Sequence, residues 1–367
     1  MSRSSPEEIV AKQRKALSHY QGYDYLDAGA QGMVSVCMET DQHGTILSRT
    51  AVKDTYLDQF HWDHMEWIDG YPADIGATWR LQDQTSSNKV LHIEGSRVFL
   101  DLRMYRMFLE FAPHASLWST LDRYWTANKR VPEAFLWNVA KSMVEMGVLM
   151  GQGDLVTPKS PWRTLVHKDI KLDNVVLAAP TADFPSYPTP KLMDFGHVGE
   201  IWPGNPISMA EQCWGGTQGW KAVERLPADD PPGPMTQASD VYSFGLTLYH
   251  LMNLSGGGPP RYTQDGQPAF GPGDPGSLFS PGLKDMVLEC LHIDLRQRPS
   301  FGLLHAHIRA VLESPSGDPE MQRIQALSTR TLAQTGRYIP MSEITRYTLS
   351  YRGDDKYRLG TACRFLQ

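Results

Sequence analysis

The chain has 367 residues, with 35 Lys and Arg against 41 Asp and Glu, and its net charge of −6 offers no global basic field of the kind that selects nucleic acid. Hydrophobic residues at 41% and charged residues at 21% are ordinary for a globular protein and allow a core without disulfides. The four cysteines, Cys37, Cys213, Cys290 and Cys363, are too scattered for a zinc site or a secreted disulfide framework and read as buried or idle thiols in a reducing compartment.

Taken in chain order, the first twenty residues are polar and charged where a secretory leader would carry an apolar core. No run approaches the ~18 apolar residues of a membrane span, so the expected location is the cytoplasm or the nucleus, with no membrane partner. From about Tyr23 to Ala112, short β-branched and aromatic runs alternate with turns, interrupted by one helical pattern near Pro72 to Gln84. From Leu117 onward helical periodicity dominates. Its most apolar stretch, Phe135 to Met150, is broken by Asn138, Lys141 and Glu145, which suits a core helix. A strand-rich part followed by a helix-rich part predicts an α+β, bilobal fold, with a small β-rich N-lobe and a larger α-helical C-lobe. No internal repeat is found, and the Pro/Gly-rich stretches 179–190, 228–235 and 255–282 read as surface loops. Residues 323–367 hold eight Lys or Arg against three Asp or Glu, a net +5, while the rest of the chain carries −11. That opposition, with Met321, Ile324 and Leu327 at three-residue spacing and Tyr338, Tyr347, Tyr351 and Tyr357, predicts a tail that docks on the body, a loosely ordered basic tail being the alternative.

The chemistry concentrates in HKDIKLDN at 167–174 and MDFG at 193–196. A carboxylate beside a lysine, an amide oxygen and a second carboxylate are what a site needs to orient a hydroxyl nucleophile and hold Mg²⁺ on a nucleotide. These motifs resemble the catalytic loop and metal-binding turn of the eukaryotic-type protein kinases, serine/threonine-like. The resemblance implies that Asp169 orients the substrate hydroxyl, Lys171 offsets charge on the transferring phosphoryl group, and Asn174 and Asp194 bind Mg²⁺, with His167 and Phe195 as internal packing residues. Lys168 stands where the family usually has arginine, so it could attract a phosphate only as a point charge.

Further matches keep the family's order. LDAGAQGMV at 26–34 resembles the glycine-rich nucleotide loop, with Leu26 at its start, Asp27 at the first glycine position, and Gly29 and Gly32 at the second and third. TAVK at 50–53 makes Lys53 the residue that grips the phosphates. Its acidic partner on the lobe's helix is Asp74 by helical register with Ile75, Thr78 and Leu81; Glu66 has the usual acid type but is followed by a Gly70-Tyr71-Pro72 break. Aspartate is shorter than glutamate by roughly 1.5 Å of reach, so that helix must sit close. FLEFAPHASL at 108–117 resembles the hinge, with Leu109 guarding the pocket, backbone groups of Glu110 and Ala112 meeting adenine, and Val34, Ala51 and Val176 around the purine.

GTQGWKAVE at 216–224 resembles the end of the activation segment, with Trp220 for tyrosine and Val223 for proline. Glu224 would pair with Arg298, Asp240 of SDVYSFG would brace the catalytic loop, and Thr217 would hydrogen-bond that loop, Ser208 and Thr217 also being candidate modification sites. The implied organisation is an N-terminal extension at 1–19, a kinase domain at 20–312 (N-lobe about 20–110, C-lobe about 113–312) and a C-terminal extension at 313–367. The implied activity is ATP- and Mg²⁺-dependent phosphorylation of serine or threonine in protein substrates. Asp27, Asp74, Lys168 and Val223 leave a second reading, a nucleotide-binding pseudokinase scaffold. A small-molecule phosphotransferase would not be expected to keep DFG together with GTQGWKAVE and SDVYSFG. Substrate identity and oligomeric state are not written in the sequence.

Overall fold

The β-branched and aromatic runs of the first third form a five-stranded antiparallel sheet, ordered β1 (Tyr23–Ala28), β2 (Gly32–Thr40), β3 (Ile46–Tyr56), β7 (Met104–Glu110) and β6 (Ile93–Phe99). The structure is a computed structural model and describes residues 23–28, 32–40, 46–84, 88–180, 187–201, 215–225 and 235–313. Alternation along β3 sends Ala51 and Lys53 to one face and Val52 and Asp54 to the other. On that second face Asp54 lies opposite Arg106 of β7, and the pair is bidentate and buried, with Nε to Oδ1 at 2.6 Å and Nη2 to Oδ2 at 2.7 Å.

Between β3 and β6 the chain makes α1 (Gln59–His64), capped by Asp58, whose carboxylate accepts from the His61 amide at 2.8 Å. A small hairpin follows, β4 (Trp67–Ile68) and β5 (Tyr71–Pro72), turned by Asp69 and Gly70 at positive φ. Then comes α2 (Ala73–Gln82). Neither α1 nor the hairpin is evident from periodicity, because each is too short to show a repeat. Pro72, expected in the first turn of α2, instead precedes it as the N-cap residue, held by its pairing with Trp67 in the hairpin. A Cβ on Gly76 would stand 2.1 Å from the Ile68 carbonyl oxygen, so α2 packs on the hairpin at a distance only glycine allows.

The C-lobe is built around α4 (Glu133–Gln152), which is buried on nearly every side and packs on α5 (Gln237–Asn253) and α7 (Phe301–Glu313). α3 (Leu117–Thr126) and α6 (Pro281–Cys290) complete the α-helices among the described residues, each started by a serine cap, Ser116 and Ser280. Three short antiparallel pairs carry the chemistry-bearing loops: β8 (Thr164–Val166) with β11 (Gly199–Ile201), and β9 (Val175–Ala178) with β10 (Thr189–Leu192) beneath the linker between lobes, while the hairpin above forms the third. The stretch 179–190, read as a loop, gives up its last residues to β10, where Pro190 sits on a two-stranded sheet that tolerates its missing N–H. Likewise 255–282 ends inside α6, because Pro281 suits a first helical turn. The candidate tail, residues 314–367, and Ser208 lie outside the described residues. No helix among the described residues is long and apolar enough to cross a membrane.

Candidate active site

Lys53 points from β3 into the cleft between lobes, and its ammonium donates to Asp74 Oδ2 and to Asp194 Oδ1, each at 2.7 Å. Of the two acids weighed as its partner, Asp74 is therefore the one that meets it. Asp74 is almost fully buried, and its other oxygen accepts from the Phe195 backbone N–H at 2.8 Å. One short carboxylate thus ties α2 both to the lysine and to the turn that follows Asp194. Burial works against the charge on Lys53, but Asp194 and Asp74 outweigh it and raise its pKa well above the ordinary value. Burial likewise opposes ionisation of Asp194, and Lys53 overrides it, holding that carboxyl below its usual range. Asp194 adopts a left-handed backbone at φ 67, a strained setting for a non-glycine residue that turns its side chain toward the lysine.

The loop between β8 and β9 assembles a second group. Lys171 Nζ donates to Asp169 Oδ2 at 2.9 Å and to Thr217 Oγ1 at 2.6 Å, while the Thr217 hydroxyl donates to Asp169 Oδ1 at 2.7 Å. Asn174 donates through its amide nitrogen to the Asp169 carbonyl at 2.8 Å and to Asp169 Oδ2 at 3.1 Å. This orientation turns the Asn174 amide oxygen the other way, available as a hard donor. Asn174 and Asp194 are oxygen ligands suited to a Mg²⁺ that draws its remaining ligands from water and phosphates. No group of three or more His, Cys, Asp or Glu side chains among the described residues is placed to hold a metal.

Backbone contacts hold this loop in place. Asp240, at the start of α5, accepts from the His167 N–H at 2.7 Å and the Lys168 N–H at 2.9 Å, and burial pushes its pKa up to about 7 against those two donors. His167 is fully buried and neutral, its pKa lowered by burial; Nε2 donates to the Met193 carbonyl at 3.1 Å, Nδ1 accepts from the Asp169 N–H at 3.3 Å, and its ring packs on Phe195. Glu224 and Arg298 meet in a bidentate pair at 2.7 and 2.9 Å, with Ser239 adding a hydroxyl to the Glu224 carboxylate at 2.9 Å.

Lys168 departs from the expectation of a charge waiting for a phosphate. Its side chain is buried at φ 69, and its ammonium lies within electrostatic reach of Glu66 and Asp240. The acid passed over as the partner of Lys53 thus lies within electrostatic reach of the catalytic loop.

Around the nucleotide cleft, Ala51, Leu109 and Val176 share one apolar cluster, with Val34 and Ala112 packed at its margin. Tyr105 and Met193 join them, neither assigned to the cleft from sequence, together with Ile75, read from sequence only as part of the helical register of α2. The Glu110 N–H is already bonded to the His92 carbonyl at 2.9 Å, so Glu110 has only its carbonyl to offer a purine, and any donor must come from beyond it, as at Ala112. Leu26 is the extra residue at a bulge in the pairing of β1 with β2. Gly32 opens β2, where a Cβ would stand 2.3 Å from the Asp54 carbonyl oxygen, so glycine is required there by the neighbouring strand. Gly29 lies outside the described residues, as does the side chain of Asp27.

The protein kinase domain family model matches residues 25–308. The lymphokine-activated killer T-cell-originated protein kinase of Homo sapiens is 29% identical over 182 residues, 48% of this chain and 51% of the relative. The serine/threonine-protein kinase A-Raf of Mus musculus is 27% identical over 182 residues, 45% of this chain and 28% of the relative. The MAP kinase kinase skh1/pek1 of Schizosaccharomyces pombe is 30% identical over 149 residues, 37% of each chain. The chain thus matches about half the length of the first of these relatives and less of the others.

Proposed function

Because the chain belongs to the protein kinase domain family, we propose that it transfers the γ-phosphoryl group of ATP to serine and threonine hydroxyls of protein substrates, with Mg²⁺ on the nucleotide. The observation that carries this reading is the closed triangle of Asp169, Lys171 and Thr217, facing a lysine clamped between Asp74 and Asp194. In it Asp169 orients the acceptor hydroxyl and takes its proton, and Lys171, already hydrogen-bonded to that carboxylate, offsets negative charge on the phosphoryl group as it moves. Lys53 grips the phosphates from the N-lobe side. Asn174 and Asp194 would hold the metal, which would supply neutralising charge for the phosphates. Ala51, Val34 and Val176 sandwich the purine, while the Glu110 carbonyl and the Ala112 amide read its edge.

The scaffold reading rested partly on Asp74 replacing a glutamate. The 2.7 Å contact of Asp74 with Lys53 removes that objection, since the shorter acid makes the required pair. Val223 opens a helical turn, Val223–Arg225, against the core, and the neighbouring Glu224–Arg298 pair is made without a proline there. The serine/threonine character of A-Raf agrees with a lysine two residues after the catalytic aspartate.

The test is purified full-length chain with labelled ATP, Mg²⁺ and a degenerate peptide array, followed by phosphoamino-acid analysis. Phosphoserine and phosphothreonine are expected, and Asp169→Asn should abolish transfer while Mg·ATP affinity changes by no more than a few-fold. Mainly phosphotyrosine would overturn the acceptor class, and undiminished turnover in the variant would overturn the role of Asp169.

A further inference from the structure

Four charged side chains far apart in sequence close into a ring at the back of the cleft. Arg80 of α2 donates from Nε to Asp69 Oδ2 at 2.8 Å and from Nη1 to Glu200 Oε1 at 2.5 Å. Arg163 donates from Nη2 to Asp69 Oδ1 at 2.8 Å and from Nη1 to Glu200 Oε2 at 3.0 Å. Each carboxylate bridges both guanidinium groups, so the charges alternate and the set is neutral. Glu200 is buried and the Arg80 side chain is only 10% exposed, which places half of the ring beyond easy screening by salt.

The ring joins the parts that phosphoryl transfer must align. Arg80 lies on the helix that carries Asp74, Asp69 is in the turn on which that helix rests, Glu200 follows the Asp194 turn on β11, and Arg163 immediately precedes β8 and the catalytic loop. Arg163 belongs to the eleven-residue connection 153–163, which is itself a built platform. Gly153 ends α4 with φ 77, the Trp162 indole donates to the Met150 carbonyl at 3.1 Å, and Asp154 accepts from the Val156 and Thr157 amides at 2.8 and 3.0 Å. A Cβ on Gly153 would stand 2.5 Å from the Trp162 ring, so that ring lies flush on the helix end. From the same platform Lys159 donates to the side chain of Gln84, just past the end of α2, and Gln84 in turn donates to the Arg80 carbonyl.

We propose that the 153–163 platform, through Arg163 and Lys159, together with Glu200, Arg80 and Asp69, forms a brace that holds α2 against the C-lobe so that Asp74 meets Lys53 without a phosphate on the activation segment. Two further observations support it. Ser208 is the sole hydroxyl-bearing residue between Asp194 and Thr217, and the Thr217 hydroxyl is already bonded to Asp169 and Lys171, so the segment offers little to phosphorylate. The residue that would receive such a phosphate, Lys168, is buried, and its backbone N–H is held by Asp240 at 2.9 Å. Arg163, Glu200, Arg80 and Asp69 are thus positioning residues, acting on the reaction through Asp74 and Lys53. This rests on the phosphoryl-transfer reading of the cleft.

The experiment compares wild type, Ser208→Ala, Arg163→Gln, Arg163→Lys and Glu200→Gln in the full chain, with transfer to peptide measured beside amide exchange across residues 73–82, and exchange in 133–152 as the internal reference for intact folding. Ser208→Ala should leave kcat and both KM values within twofold. Arg163→Gln and Glu200→Gln should lower kcat about tenfold, with peptide KM little changed, and speed exchange across 73–82 while 133–152 stays protected. Arg163→Lys should recover most of the rate. Loss of activity in Ser208→Ala, or exchange across 73–82 that ignores both ring variants, overturns the brace. A wild type without transfer in which Arg163→Gln still speeds exchange across 73–82 sustains the brace and overturns the catalytic reading instead.

Discussion

Replacing Asp74 with asparagine keeps the shape of the side chain and removes one charge and one acceptor. In the native site Oδ1 takes the Phe195 amide at 2.8 Å and Oδ2 takes the Lys53 ammonium at 2.7 Å, so an amide group must turn its NH₂ against one of two donors whichever way it is flipped. Losing a charge-assisted bond at a residue 1% exposed costs about 2–3 kcal/mol, less than a fully orphaned ion pair because Lys53 keeps Asp194. In a domain of about 290 residues, with an unfolding entropy of about 0.6 kcal/mol/K, that is a fall in Tm of about 3–5 °C. Transfer should suffer at least about tenfold, since the lysine loses the contact that fixes it against the helix. Asp74→Glu discriminates further: it keeps the charge but adds roughly 1.5 Å of reach. With Gly76 already pressed on the Ile68 carbonyl, the helix cannot easily retreat, and overpacking of about 1–3 kcal/mol is expected. Calorimetry and peptide phosphorylation on the three proteins check this. Asp74→Asn with wild-type Tm and turnover, or Asp74→Glu more active than wild type, would refute the reasoning.

Gly76→Ala should destabilise by about 1–3 kcal/mol and slow transfer, because its Cβ would meet the Ile68 backbone at 2.1 Å; an unchanged urea midpoint would show that the hairpin yields freely. Arg298→Met leaves the Glu224 carboxylate without its cation beside a core that buries the arginine completely, and about 3–5 kcal/mol of stability should go; a loss under about 1 kcal/mol in denaturant would place the pair among solvent-screened ones. His250 is held neutral by burial, its pKa pushed down from 6.5 to about 4, with the Gly258 carbonyl accepting from Nε2 at 3.0 Å and the Ser255 hydroxyl on Nδ1 at 2.8 Å. A depressed folded pKa means that its contribution is complete above pH 6.5 and is lost as pH falls through about 4, since the unfolded chain takes the proton first. Between pH 7 and 5 this residue should account for about 2 kcal/mol of lost stability, read as the smaller pH dependence of His250→Gln; identical slopes would contradict it.

The parts of the site that sit at fixed short spacings are legible in the sequence itself. Asp169, Lys171 and Asn174 lie within six residues, where backbone geometry alone brings them together, and the closing of their hydrogen bonds onto Thr217 needs only that one more motif arrive. The choice of Asp74 over Glu66 follows from helical register, because a residue in phase with Ile75, Thr78 and Leu81 must lie near the buried side of its helix. What stays hidden is the use made of the rejected acid. Glu66 sits between two elements of two or six residues, too short to have a period, and Lys168, whose charge reaches it, is about a hundred positions away.

The same limit explains the ionic ring. Asp69, Arg80, Arg163 and Glu200 carry no spacing signal, and surface-like charges of that kind usually mark a solvated face. Only the meeting of α2, β8 and β11 gives them a common centre. Their placement has a physical consequence for the rest of the cleft. A helix fastened to Lys53 alone depends on one contact of 2.7 Å, whereas a helix also fastened at Arg80 and Gln84 to the C-lobe resists rotation about that contact. Fixing a rigid element at two separated points constrains its angle as well as its distance. Asp74 is then presented to Lys53 and to the Phe195 amide in one orientation, which is the condition under which a carboxylate shorter by one methylene still closes both bonds.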